Sequence, residues 1–305
     1  VFALDDGDGW TLVDSGLDWR RGRAVWEAAL AGPLAGRKVR RVIVTHYHPD
    51  HVGLAGWFRT AHGAEIVATR TTWLFARMLQ LDVQERPVPE AVAFWRQAGM
   101  PEETIAKRLA ERPFNFADCV APLPLGFTRI EEGDVVRAGG RDWDVRLGSG
   151  HAPDHATLWS RDDGLVLGGD QLLPSISPNL GVYPTEPEAD PVAVWMDSCH
   201  RLGAFARDDQ LVLPGHKLPY TGLPARLVQM ADNHVEALSR LRAWLAEAPR
   251  TAHECFPPLF GREIGAGEYG LALAEAVGHL NHLLRTGEAA REAREDGAWL
   301  WLLAR

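Results

Sequence analysis

The sequence predicts a mixed α/β fold, on three observations. Short apolar runs such as "RRVIVT" (40–45), "LVLGGD" (165–170) and "LVLPGH" (211–216) have the length and composition of strands buried on both faces. Segments with helical spacing alternate with such runs over the first 70 residues. The strand-like runs also stop at Gly or other small residues, where an open sheet gathers ligands.

Residues 1–14 read as two short strands around the turn "DDGDG", the second ending at "SG". Apolar residues Trp19, Ala24, Val25, Ala28 and Ala29 recur at helical spacing and place a helix over 19–31. The strand at 40–45 runs straight into "THYHPDHVG" (45–53); a helix from about Val52 to Ala61 and the strand "AEIVA" (64–68) follow. From Thr71 to about Asp118 the pattern is helical, each segment opened or closed by Pro or Gly, and reads as a helical cap inserted at 71–118. Its Trp73, Phe75, Phe94 and Trp95 suit either an apolar substrate wall over the mouth of the site or ordinary core packing. Strands return at 127–130, 134–138, 142–147, 156–160, 164–168 and 210–215, with a helix at about 191–206.

The composition shifts after Leu223, so the expected domains are 1–223 and 224–305. The second reads as three helices and a hairpin about "DG", the order of a winged helix. Residues 224–305 hold nine Arg and no Lys against eleven Asp plus Glu, a net of about -2, which points to a packing or dimerisation module and not to a DNA reader. The whole chain, at -9, likewise lacks the basic surface that nucleic acid demands, so a small-molecule substrate is expected and a homodimer is left open. No stretch approaches the roughly 18 apolar residues of a membrane helix. Cys119, Cys199 and Cys255 lie far apart, as free thiols of a reducing cytosol would; the expected compartment is the cytoplasm, with the periplasm open because a chain starting at Val1 is compatible with a trimmed leader.

"HYHPDH" puts His46, His48, Asp50 and His51 within six positions at a strand end. Imidazole and carboxylate bind zinc without redox chemistry, but a site needs three or four of them to converge. Three later strand ends supply His151 in "GSGHAPDH", Asp170 and His216. Together with the early "DSG" turn, these segments resemble the metallo-β-lactamase superfamily across residues 1–221. The resemblance implies a four-layer αββα sandwich with a dinuclear site in its mouth. It assigns His46, His48 and His151 to a first metal, Asp50, His51 and His216 to a second, and Asp170 to both. It also implies that the tail is the winged-helix-like domain of one branch of that superfamily. The ligand set favours two Zn2+, with Fe or Mn as alternatives; iron-binding oxidoreductase relatives tend to carry Glu where this chain has His48.

His155 resembles a position that in related thioesterases supports the metal loop, so a hydrogen bond to that loop and a plain capping or core histidine are its two readings; Asp14, with no histidine beside it, braces the loop instead of touching metal. Asn179 and Tyr183, in the loop after Asp170, and Lys217 and Tyr220, after His216, are candidate substrate contacts. His279 and His282 read as plain helix residues. Two zinc ions sharing a water supply a hydroxide and stabilise the oxyanion formed at a carbonyl, so hydrolysis is the expected chemistry, with Asp50 shuttling a proton. A thioester or lactone fits best; a β-lactam, or RNA as in the winged-helix-tailed branch, are the alternatives.

Overall fold

A hairpin of β1 (Phe2–Asp5) and β2 (Trp10–Val13) opens the chain, and after helix α1 (Arg20–Ala31) the chain returns as β3 (Val39–Ile43), parallel to β2. The structure, a computed structural model, describes residues 1–304. A short helix α2 (Pro49–Val52) and helix α3 (Ala55–His62) lead to β4 (Glu65–Ala68), parallel to β3, where the sequence predicts one unbroken helix. Helices α4 (Arg70–Leu81), α5 (Pro89–Gln97) and α6 (Glu102–Ala110) follow, and β5 (Thr128–Arg129) completes a sheet of order β1-β2-β3-β4-β5. The second sheet has order β10-β9-β8-β7-β6, built from β6 (Val135–Ala138), β7 (Arg141–Gly148), β8 (His155–Ser160), β9 (Leu165–Gly169) and β10 (Leu211–Pro214). Its strands are antiparallel except for β10 beside β9, because α7 (Pro191–Gly203) intervenes between those two in the chain.

Alternation along the central strands decides what packs where. Val13, Ile43 and Val67 of the first sheet share one cluster with Trp143, Val145, Leu158 and Leu167 of the second, the filling of a two-sheet sandwich. Leu12, Val42 and Ile66 point the other way, into a cluster with Phe58 of α3 and Trp73 of α4. Of the apolar positions that mark α1 in the sequence, Trp19 and Val25 are 55% and 62% exposed, and Trp26 and Leu30 pack on the core instead. Trp26 and Leu30 are four apart and so share a face. The predicted set mixes two faces, since most of its members are small or weakly apolar.

By compactness the described chain divides into two units. One comprises Val1–Val83, Phe114–Ile176 and Phe205–Pro224; the other comprises Gln84–Pro113, Ser177–Ala204 and the chain from Ala225 onward. Of the helices at 71–118, α4 falls in the first unit and α5 and α6 in the second. In this division residues 84–113 and 177–204 fall with the tail. Within the second unit α8 (Leu223–Glu247), α9 (Phe256–Phe260), α10 (Tyr269–Arg285) and the antiparallel pair β11 (Ala289–Ala293) and β12 (Trp299–Leu303) appear in the order the sequence predicts. No helix among the described residues is long and apolar enough to cross a membrane, and all three cysteines are buried and free.

Candidate metal centre

Seven side chains converge in the first unit. His46, His48 and His151 form one group; His46, His51 and Asp170 a second; Asp50, His51 and His216 a third, each with its ligand atoms within 4.8 Å of one another. His46 and His48 leave the end of β3, and Pro49 at the first turn of α2 turns the chain so that Asp50 and His51 follow at once. His48 Nδ1 stands 3.0 Å from His46 Nε2 and 2.9 Å from His151 Nε2. Asp170 lies between the groups: Oδ1 is 3.4 Å from His51 Nε2, while Oδ2 is 3.6 Å from His151 and 3.3 Å from His216. His216 Nε2 is also 3.2 Å from Asp50 Oδ2, and these two side chains are 44% and 40% exposed, so the cluster opens to solvent on their side.

The backbone around the cluster is strained in its favour. Among the described residues the non-glycine positions with left-handed backbone are Asp14, which contacts His51, Lys217, which follows His216, and Asp154, which precedes His155. Asp14 accepts from the Thr45 amide at 2.8 Å and from His51 Nδ1 at 2.7 Å, which orients the His51 ring with Nε2 toward Asp170. Ser15 donates to the His51 carbonyl at 2.9 Å, so the "DSG" turn braces the loop without supplying a ligand. His155 is fully buried, its ring stacked on His46 with centroids 4.5 Å apart, and its Nε2 accepts from the Asp170 amide at 3.0 Å. Gly169 makes this possible: with φ at +48°, it passes so close that a Cβ there would stand 2.4 Å from the His155 ring.

Charge separates the cluster into two halves. Burial, reinforced by the neighbouring rings, holds His46 and His48 well below the ordinary imidazole value, hence neutral and fit to donate a lone pair. In the acidic half burial disfavours a charged His51, but the Asp14 and Asp170 carboxylates override it and lift the ring to about 10. His216 is raised to about 9 by Asp170 and Asp50. Burial would raise the two aspartates, yet His216 and His51 hold Asp50 at about 2 and Asp170 below the usual carboxylate range. Buried His51 Nε2 and Asp170 Oδ1 have no hydrogen-bond partner although both are polar and face each other. Neutral imidazoles on one side, carboxylates drawing positive charge on the other, and orphaned donor atoms between them fit divalent cations.

The candidate substrate contacts divide. Lys217 is exposed directly after His216, and the Tyr220 backbone pairs with Val212 of β10, at 3.1 Å from amide to carbonyl. Asn179 and Tyr183 belong to the second unit, where both hydrogens of the Asn179 amide nitrogen are used, on the Leu271 carbonyl at 3.1 Å and Glu275 at 2.7 Å. Of the aromatic residues predicted for a cap, Trp73 is 4% exposed and stacks on Phe127 with centroids 5.0 Å apart, a core residue. Trp73→Ala is expected to cost about 3–5 kcal/mol of stability, read by chemical denaturation, without changing which acyl chain length is preferred. Phe94 is buried in the second unit, and Trp95 lies there under Arg108. Phe75 stacks on Tyr47, whose ring lies 4.6 Å from that of His48. Tyr47 is thus the aromatic neighbour of the site that sequence reasoning misses, although it stands inside the motif itself.

The chain matches known proteins along nearly its whole length. Residues 1–220 match the family profile described as the metallo-beta-lactamase superfamily, and 238–303 match the metallo-beta-lactamase-like C-terminal domain. A probable metallo-hydrolase of Bacillus subtilis (strain 168), YqjP, is 28% identical over 93% of this chain and 87% of its own. Among solved structures, a beta-lactamase domain protein from Burkholderia ambifaria superposes with a TM-score of 0.89 at 34% identity, over 98% of this chain and 85% of that one. The metallo-beta-lactamase family protein TTHA1429 from Thermus thermophilus gives 0.80 at 27%, over 99% and 92%.

Proposed function

The chain belongs to the metallo-β-lactamase superfamily, and from that premise we propose that this metallo-hydrolase is a dinuclear zinc enzyme cleaving a thioester or a lactone. The observation that carries the proposal is the convergence of seven nitrogen and oxygen donors, with Asp170 between the two trios: its Oδ2 faces both His151 and His216 and its Oδ1 faces His51. In this reading His46, His48 and His151 hold one ion, Asp50, His51 and His216 the other, and Asp170 spans both. Zinc suits the set because imidazole and carboxylate are among its ordinary ligands; the same donors also take iron or manganese, the alternatives to it. Two such ions, when bound, bring the pKa of a shared water toward neutrality and polarise the carbonyl under attack.

The rest is the work of the chain's own residues. Asp14 fixes the tautomer of His51 by accepting its Nδ1 proton, and His155 pins the backbone of Asp170. Asp50, on the exposed side beside His216, is placed to take a proton on its carboxylate oxygen and pass it to the leaving group. A thiolate or alkoxide leaves with less help than an amine, which favours esters over amides as substrates. Phe75, half-buried and stacked on the core residue Tyr47 beside His48, offers a partly apolar acyl group an aromatic neighbour.

The test is a screen of zinc-loaded protein against acyl thioesters, lactones, β-lactams and single-stranded RNA. Metal-dependent turnover of a thioester or lactone, abolished by EDTA and restored by zinc, is the expected result. Turnover of only a β-lactam or only RNA would overturn the substrate class. For residues 224–305 we propose a packing or dimerisation role for a winged-helix-like module, consistent with its net charge of about -2. The full chain is then expected to give no salt-sensitive mobility shift with duplex DNA, and such a shift would contradict that role.

A further inference from the structure

The second unit contains a polar cleft of about 230 Å3, built from none of the seven candidate ligands, whose lining includes His234, Arg240, Glu275 and His279. His279 Nδ1 donates to the Glu275 carbonyl one turn earlier at 2.9 Å, so its Nε2 is left to accept. His234 Nδ1 lies 3.2 Å from that nitrogen, across from α8 to α10, and is the donor in the pair. The relay leaves the last nitrogen, His234 Nε2, as a lone pair, and it is buried with no hydrogen-bond partner on a ring only 3% exposed. Burial keeps both rings neutral, His234 at about 3 and His279 at about 4.

Glu275 adds a second unmet demand. Its carboxylate accepts one hydrogen bond, from Asn179 at 2.7 Å, has no ion pair among the described residues, and is pushed up to about 7 by burial. A carboxylate taken from water without a cation is a standing cost that a cationic ligand removes. The opposite charge is supplied by Arg240, whose Nε donates to the Pro258 carbonyl at 2.7 Å and so steadies an exposed guanidinium that no carboxylate among the described residues engages. Leu259 and Phe260 add an apolar wall.

We propose that this cleft binds a small zwitterion of amino-acid size, its ammonium held by Glu275 and the His234 Nε2 lone pair and its carboxylate by Arg240. A simple anion would meet Glu275 and Glu236 in the same lining. A metal ion would lack a third ligand, since among the described residues no group of three cation ligands forms there.

Calorimetry on the zinc-loaded full chain tests this, with L-alanine, L-leucine and γ-aminobutyrate as probes and acetate and methylammonium as half-ligands. Because amino acids also chelate zinc, every titration is repeated on Glu275→Gln, which retains an acceptor for Asn179, and on Arg240→Ala at an exposed position. The expected result is saturable one-to-one binding of at least one zwitterion, weakened about tenfold or more in each variant and by removal of either ligand charge, with zinc content and ester turnover unchanged. No saturation up to about 10 mM of any zwitterion, equal binding by the variants, or acetate binding as tightly as the zwitterion would each overturn it. Zinc binding at an additional site that is lost in Glu275→Gln would also overturn it, in favour of a cation site.

Discussion

Asp170→Ala is expected to retain one metal fewer than the parent protein and to lose about a thousandfold in kcat/KM for whichever ester is turned over. Asp170 is the one residue whose oxygens reach both halves of the cluster, at 3.4 Å from His51, 3.6 Å from His151 and 3.3 Å from His216. In the dinuclear reading, an interaction that would position both ions is worth about 4 kcal/mol, and each ~1.36 kcal/mol is a factor of ten in rate. Elemental analysis and ester kinetics on the same folded sample check it, with circular dichroism as the control for folding. A variant with the full metal complement and near-parental kcat/KM would show that Asp170 is not shared between the ions.

Gly215→Ala is expected to be nearly as damaging, although it removes no ligand. A Cβ at Gly215 would stand 2.2 Å from Asp170 Oδ1 and 2.9 Å from His51 Cε1, distances at which something must shift. The neighbours that would move are two of the proposed ligands, both buried, and neither is the loose end of a long side chain. Displacing a reacting assembly by about 1 Å costs on the order of a hundredfold in rate, so activity is expected to fall at least that far, with metal lost from the Asp50, His51 and His216 half. The readout is metal content against kcat/KM. Parental values of both would mean that the tight approach of Gly215 serves only the turn after β10.

These two variants also show where the sequence is legible. The histidine loop can be read because its four candidate ligands lie within six positions of the chain, and His151, Asp170 and His216 because each follows a recognisable apolar strand; their grouping around two ions comes from the family resemblance. Gly215 can be seen as a turn residue, but its Cβ clearance is a fact of three dimensions. Helix order in the tail follows from periodicity, yet the pairing of His234 with His279 joins residues 45 apart on two helices. Periodicity names a face and not its partner, so His279 reads as an ordinary helix residue. For the same reason the position of Asn179 after Asp170 suggests a place near the mouth, whereas its amide is committed to Leu271 and Glu275. The apolar positions that mark α1 in the sequence are not the ones that pack on the core, because Ala-rich helices carry too weak an apolar contrast to fix an orientation.

The most direct test of the central claim is a crystal structure of zinc-supplemented protein with anomalous diffraction recorded on both sides of the zinc absorption edge. Two edge-dependent peaks are expected, one within bonding distance of His46, His48 and His151, the other within bonding distance of Asp50, His51 and His216, with Asp170 reaching both. A cluster without anomalous density, at a zinc concentration that sustains ester hydrolysis, would contradict the dinuclear assignment.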